Sequence, residues 1–259
     1  MLAIERHDGV TTLRIDRPAV RNALNAELLQ AMIDAARSAI ADPGCRVIVL
    51  AGNGKAFCAG ADLNWMKAGA SFGDDENRAD SMRLATLLRT LAESPKPTIA
   101  RVHGAAYAGG LGLVCACDIA VASSDARFCV SEVRIGLIPS MISPYLLRAI
   151  GPRAASRYFL SAEVFDAREA HRIGLVQQAV AADALDDAIT ALAAAIRLGG
   201  PQALAASKAL VRDFHARPID DTLIADTAAR IAATRASAEG REGVAAFLEK
   251  RSPRWQRAE

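Results

Sequence analysis

The stretch TIARVHGAAYAGGLGLVCACDI, residues 98–119, changes character twice along its length. Thr98–Val102 is a short apolar run of the kind that forms a strand. Gly104–Gly112 is a turn dominated by glycine and alanine, and it opens a short apolar helix ending near Cys117. A strand feeding a helix through a tight turn belongs to a sheet whose neighbouring strands run parallel, because parallel strands need a crossover between them. The order repeats on both sides. Upstream, Val47–Leu50 reads as a buried strand leading through Ala51-Gly52-Asn53-Gly54-Lys55 into the segment Phe57–Asp62. Downstream, Ile119–Ala122 and Arg127–Val130 read as two further strands.

Further outward, Leu2–Arg6 and Val10–Ile15 form an expected hairpin through the turn-forming His7-Asp8-Gly9. Asn25 is placed to cap a helix whose Leu28, Leu29, Met32, Ala36, Ala39 and Ile40 recur at helical spacing until Asp42-Pro43-Gly44 ends it. Residues 67–76 are polar and read as a loop. A long helix is expected over Glu76–Ala92, with Met82, Leu84, Leu87, Leu88 and Leu91 facing inward and Ser94-Pro95-Lys96-Pro97 as its stop. From Pro144 onward the pattern is helical apart from a strand at Val176–Val180, with helices expected over 182–198, 201–215, 219–234 and 238–248. The fold class is therefore α/β. Gly199-Gly200-Pro201 divides a core, 1–198, from an all-helical region, 199–259.

Composition narrows the function. The 259 residues carry 31 basic and 29 acidic side chains, a near-balance that supplies no field for nucleic acid or an anionic membrane. Alanine-rich apolar content with few aromatics favours close-packed helices. No window approaches the roughly 18 apolar residues of a membrane span, and Glu5, Arg6 and Asp8 interrupt any secretory signal. The five cysteines, at 45, 58, 115, 117 and 129, are an odd number in largely apolar surroundings. They read as reduced thiols of a cytoplasmic protein. Cys115 and Cys117 do not make a metal site, since residues two apart on a helix point to different faces and no partner follows at ligand spacing.

Two loops carry the candidate chemistry: Cys58–Asp62 and Gly104–Gly110, each between a strand and a helix. Small residues let a ligand approach the main chain, and free N–H groups at a helix start can donate to an oxygen bearing negative charge. Donors from both loops would form an oxyanion hole. Gly110-Leu111-Gly112 lacks the third glycine of a dinucleotide site, where Cys115 stands, and no phosphate-loop Gly-Lys-Ser/Thr occurs. His103 and Asp118 read as strand-end residues, Asp118 bonding backbone groups. Trp65 and Met66 read as core packing, with shaping of an acyl pocket as the alternative. Ser131 lacks the elbow and the paired histidine of a nucleophile.

These residues resemble the enoyl-CoA hydratase/isomerase (crotonase) family. Arg17-Pro18 with Arg21-Asn22-Ala23-Leu24 is similar to its N-terminal signature. Ala56–Leu63 resembles its first oxyanion segment, and Val102-His103-Gly104, Gly109-Gly110 and Cys117-Asp118-Ile119 its second. Ser131–Pro139 resembles its catalytic segment and Glu242–Arg251 its closing helix, so the likeness spans the chain. The resemblance implies a crotonase fold, a spiral of ββα units with a C-terminal helical region packing between subunits of a homotrimer or dimer of trimers. It implies that the amides of Ala61 and Gly109 bind a thioester carbonyl. It also implies that Arg21, Ala23, Ala59, Ala61, Asp62 and Leu63 lie along the path of coenzyme A, which is part of the substrate rather than a separate cofactor. Lys250 is then a candidate to reach a neighbouring subunit's CoA.

One departure bears on the reaction. Hydratases of this family use two glutamates, and the first position is Gly112 here; the second is Glu132. Apolar Val130, Val133 and Ile135 beside Glu132 would raise its pKa toward the range useful for proton transfer. Hydration of a 2-enoyl-CoA is the leading expectation, with Glu132 as general acid/base. Isomerisation of a 3-enoyl to a 2-enoyl thioester needs one base only. A CoA-thioester-binding scaffold that has lost activity is a third reading. Val130–Leu137 with Ile142-Ser143-Pro144-Tyr145 and Arg148–Gly151 is similar to the branch containing methylglutaconyl-CoA and isohexenylglutaconyl-CoA hydratases, for whose carboxylated acyl groups Arg134 or Arg148 could supply a cation.

Overall fold

The computed structural model describes residues 1–256. The last three residues of the expected 199–259 helical region lie outside those described. The chain opens with the expected antiparallel hairpin, β1 (Leu2–His7) and β2 (Val10–Ile15). Helix α1 (Ala26–Ala41) follows, and the Asn25 side chain caps it by accepting from the Leu28 N–H at 2.9 Å. Next come β3 (Val47–Gly52), β4 (Ala56–Cys58), α2 (Leu63–Gly69) and α3 (Asp74–Ala92), then β5 (Thr98–Val102), β6 (Ala105–Tyr107) and α4 (Gly109–Ala116). After β7 (Ile119–Ser123) and β8 (Arg127–Cys129), a 3-10 turn at Glu132–Ile135 leads to α5 (Ser143–Ser161), broken at Gly151 before Pro152. The remainder is β9 (Phe165–Asp166), α6 (Ala167–Arg172), β10 (Gln178–Val180), α7 (Leu185–Arg197), α8 (Pro201–Phe214), α9 (Asp221–Ala236) and α10 (Ala238–Leu248).

Each turn of the spiral gives one strand to each of two sheets. The larger sheet has the order β1-β2-β3-β5-β7-β10 and is parallel from β2 onward. The smaller has the order β4-β6-β8-β9, and its first three strands are parallel. The main core lies where α1, α3, α4 and α5 cover these sheets, and a second apolar cluster forms between α7 and the other face of the larger sheet. This is the ββα spiral that the resemblance implies, within the α/β class with parallel strands that the residue pattern anticipates.

Three local expectations are corrected. Residues 67–76 are not one loop: α2 runs to Gly69, and α3 starts at Asp74, where the Glu76 carboxylate accepts from the Gly73 N–H. Met82 is 55% exposed, because it lies two residues from Leu84 and so on the far side of the helix from Leu84, Leu87, Leu88 and Leu91. Strands β4 and β6 occupy what read as loop and turn. Among the described residues no single helix is long and apolar enough to cross a membrane.

Candidate active site

The parallel strands β4, β6 and β8 lie side by side, with Cys58 paired to Ala106 and Tyr107 to Cys129. All three end on the same edge, and each releases a candidate residue two or three positions past its end: Ala61 after Cys58, Gly109 after Tyr107, Glu132 after Cys129. Their convergence is a consequence of sheet register, not of sequence proximity.

The two small-residue loops touch. A Cβ on Gly60 would lie 3.3 Å from that of Ala108 and 3.4 Å from the Tyr107 carbonyl oxygen. A Cβ on Gly110 would meet the Cys58 carbonyl oxygen at 2.4 Å, so only glycine lets the start of α4 approach the end of β4 this closely. Ala108 holds φ 46° and ψ −119°, a strained conformation for alanine. Two bonds fix it: its N–H donates to the Cys129 carbonyl at 2.9 Å, and its carbonyl accepts from the Gly112 N–H at 3.1 Å. That conformation aims the next peptide, so Gly109 presents its N–H as the first residue of α4, where no helical acceptor exists. Around Ala61 the neighbouring amides are paired: Ala59 N–H donates to Arg21 O at 3.0 Å and Asp62 N–H to Leu24 O at 2.8 Å, while Leu24 N–H donates to Gly60 O at 2.7 Å. Among the described residues, neither the Ala61 nor the Gly109 N–H has an acceptor.

Glu132 begins the 3-10 turn, half-buried. Its Oε2 is buried without a hydrogen-bond partner. Burial pushes its carboxyl above the ordinary value, partly offset by the backbone amides of Ser131 and Glu132 itself. Buried polar atoms are ordinarily paired, so the orphaned oxygen sets Glu132 apart from the other carboxyl groups among the described residues.

The other expected positions separate. Arg21, Ala23, Ala59 and Ala61 are drawn together by the bridge between Leu24 and Ala61. Arg21 is exposed. Leu63 is 73% exposed at the start of α2. Asp62 instead points inward: it is buried, pairs with Arg17 at 2.8 Å, and caps α2 by accepting from the Asn64 N–H at 2.8 Å. Arg17 also donates to the Ala23 carbonyl, tying the 17–23 segment to the loop that carries Ala61. Asp62 thus acts on the site by holding Ala61, a supporting role that the sequence pattern alone did not assign. Lys250 is exposed just after α10.

A cavity of 530 Å³ lies elsewhere, at the C-terminal end of α4, and none of Ala61, Gly109 and Glu132 lines it. Cys115, Cys117, Arg148 and Lys208 do. Burial pushes the Cys117 thiol up to about 12 and raises that of Cys115, so both stay protonated and neither is a nucleophile. Arg148 lines that cavity and not the edge that carries the candidate residues, whereas Arg134 is exposed two residues beyond Glu132 on the same 3-10 turn. Asp118 accepts from the Thr98 N–H and hydroxyl, both at 2.8 Å, in the backbone-bonding role expected, and also pairs with Lys208. The His103 ring lies between Gly54 O and the Arg101 guanidinium, a strand-end role. Trp65 donates to Asp80 from α2 to α3. No metal-ligating cluster occurs among the described residues.

Known proteins share this arrangement of chain. A Legionella pneumophila protein carrying a provisional enoyl-CoA hydratase/isomerase (crotonase) name superposes with a TM-score of 0.94 at 49% identity, covering 98% of each chain. An enoyl-CoA hydratase from Shewanella pealeana gives 0.95 at 42% identity, over 98% of this chain and 95% of that one. The 2,3-dehydroadipyl-CoA hydratase of Escherichia coli is 33% identical over 97% of both proteins. The sequence pattern of the enoyl-CoA hydratase/isomerase family matches residues 5–258. With the fold, the paired small-residue loops and the buried glutamate in place, the chain belongs to the enoyl-CoA hydratase/isomerase family and is an enzyme of the crotonase superfamily.

Proposed function

We propose that this enzyme adds water across the double bond of a 2-enoyl-CoA thioester, giving a 3-hydroxyacyl-CoA. The observation that carries the reading is the orphaned, half-buried carboxylate of Glu132 on the edge that also presents the Ala61 and Gly109 amides. The two amides hold the thioester carbonyl oxygen. Glu132 takes a proton from water as the hydroxyl oxygen bonds to C3, and the electron pair of the double bond moves onto the carbonyl oxygen as an enolate. Glu132 then returns the proton to C2. Pre-aimed backbone donors are worth about 3–4 kcal/mol each when charge develops on that oxygen. The raised pKa suits a group that is base in one step and acid in the next.

The glycine at 112 supports a second reading, isomerisation of a 3-enoyl thioester, in which Glu132 removes a proton from C2 and returns it to C4. For the acyl group we favour one ending in a carboxylate, such as 3-methylglutaconyl. Arg134 makes no ion pair among the described residues, and the E. coli relative is named for a dicarboxylic thioester. A homotrimer or dimer of trimers is supported by exposed apolar side chains on and beside α8–α10, among them Val211, Ile219, Phe247 and Leu248.

The test is hydration of crotonyl-CoA and 3-methylglutaconyl-CoA, followed by loss of the conjugated thioester absorbance, beside a 3-enoyl-CoA. Glu132→Gln should lower hydration about 10²–10⁴-fold. Conjugated product from the 3-enoyl thioester, with no hydration of either 2-enoyl substrate, would make this an isomerase. CoA-thioester binding without turnover would leave the scaffold reading.

A further inference from the structure

The position where the family's hydratases carry their first glutamate is not an empty gap here. Gly112 follows Gly109 by three residues, on the same face of α4. A Cβ on Gly112 would lie 2.3 Å from Ile142 Cγ2, 3.0 Å from Ile142 Cβ and 3.6 Å from Leu88 Cδ1. A Cβ on Gly109 would meet Leu24 Cδ1 at 3.0 Å and Leu84 Cδ2 at 3.3 Å. Hydrocarbon from α3, from the start of α5 and from Leu24 ahead of α1 thus fills the notch left by both glycines. Ile142 is 2% exposed and Leu88 is fully buried.

Ile142 stands at the very start of α5 with helical φ −89° and ψ −20°, and its carbonyl accepts from the Leu146 N–H at 3.0 Å. Its side chain is therefore carried on the end of a helix, not on a free loop, and its β-branched Cβ has little rotamer freedom there.

We propose that Ile142 is a specificity-determining residue: it closes the first-carboxylate position, so proton transfer falls to Glu132 alone, and it fixes the spacing of α4 on which the Gly109 amide depends. The mechanistic half of this rests on the hydratase/isomerase chemistry proposed above; the packing half does not. Any side chain at 112 must displace Ile142 or push α4 away from α5, because Ile142 Cβ would itself lie 3.0 Å away and turning χ1 leaves it in place.

The test is a double-mutant cycle with Gly112→Ala, Ile142→Gly and the pair, read by urea midpoint and by kcat/KM on the hydrated substrate. Gly112→Ala should lower the midpoint and reduce kcat/KM about 100-fold, the loss expected when a donor is displaced by about 1 Å. Ile142→Gly should itself lower the midpoint, because it empties a buried site, but the loss in the pair should be smaller than the two single losses added together, since glycine relieves the clash. Gly112→Glu should fold poorly alone. With Ile142→Gly it should fold and add a second carboxylate ionisation to the pH profile of kcat/KM. Wild-type behaviour of Gly112→Ala overturns the proposal, as does a pair whose loss equals or exceeds the sum of the two single losses. If wild type turns over none of the thioesters, the reaction reading fails, yet the urea cycle still decides the packing.

Discussion

Glu132 shows how much one residue's setting matters. Its carboxyl is pushed up by burial, so the folded protein favours the protonated form. The sign follows: Glu132 opposes folding once pH rises above the unfolded glutamate value, about 4.3. The opposition grows until pH passes the folded value. Glu132→Gln should therefore be more stable than wild type at neutral pH, and the gap should close as pH falls to about 4. Urea midpoints at the two pH values check this, and a less stable variant at neutral pH would contradict it. A site that is less stable than its inert substitute is the usual consequence of keeping a reactive group ready. From the sequence, the apolar neighbours of Glu132 already pointed to a raised pKa. The orphaned Oε2 was not legible, because it depends on which atoms the rest of the chain fails to bring.

At the scale of elements, the caps decide where the donors sit. Asp62 both starts α2 and pairs with Arg17 of a segment 45 residues earlier. Burial pushes its carboxyl up, but the Arg17 guanidinium and the Asn64 and Trp65 N–H groups outweigh this and hold it below the ordinary value. A lowered folded pKa contributes stability that is present above the unfolded aspartate value, about 3.9, and lost as pH falls through the folded one. Asp62→Ala should cost about 1–2 kcal/mol from the cap alone at neutral pH. The difference from wild type should shrink in acid, which denaturation curves at pH 7 and pH 3 would show; an unchanged difference would remove the carboxylate from the account. The Arg17-Pro18 motif was visible in the sequence, but its partner was not. Strands β4 and β6 were missed for a related reason. Each has three residues, too few to show an alternating pattern, and each is a strand only because the next turn of the spiral lies beside it.

For the whole molecule, the C-terminal helices are the open question that size answers. Lys208 of α8 ties this region to the core through Asp118 at 2.8 Å and the carbonyls of Leu91 and Lys96. Its outer side remains apolar, with Phe247 82% exposed. Light scattering should return three or six times the 27.3 kDa of one chain, and a monomer at micromolar concentration would contradict the proposed assembly. The sequence by itself determined the α/β class, most of the helices and larger-sheet strands, both small-residue loops and the candidate base. These follow from periodicity and from residue types with narrow conformational roles, which act locally. Only the tertiary structure decided that Ala61, Gly109 and Glu132 share one edge, that Asp62 turns inward to Arg17, and that Ile142 fills the place beside Gly112. Each of these joins residues 20 or more positions apart, and contact at that separation is fixed by strand register and helix packing, which no local pattern encodes.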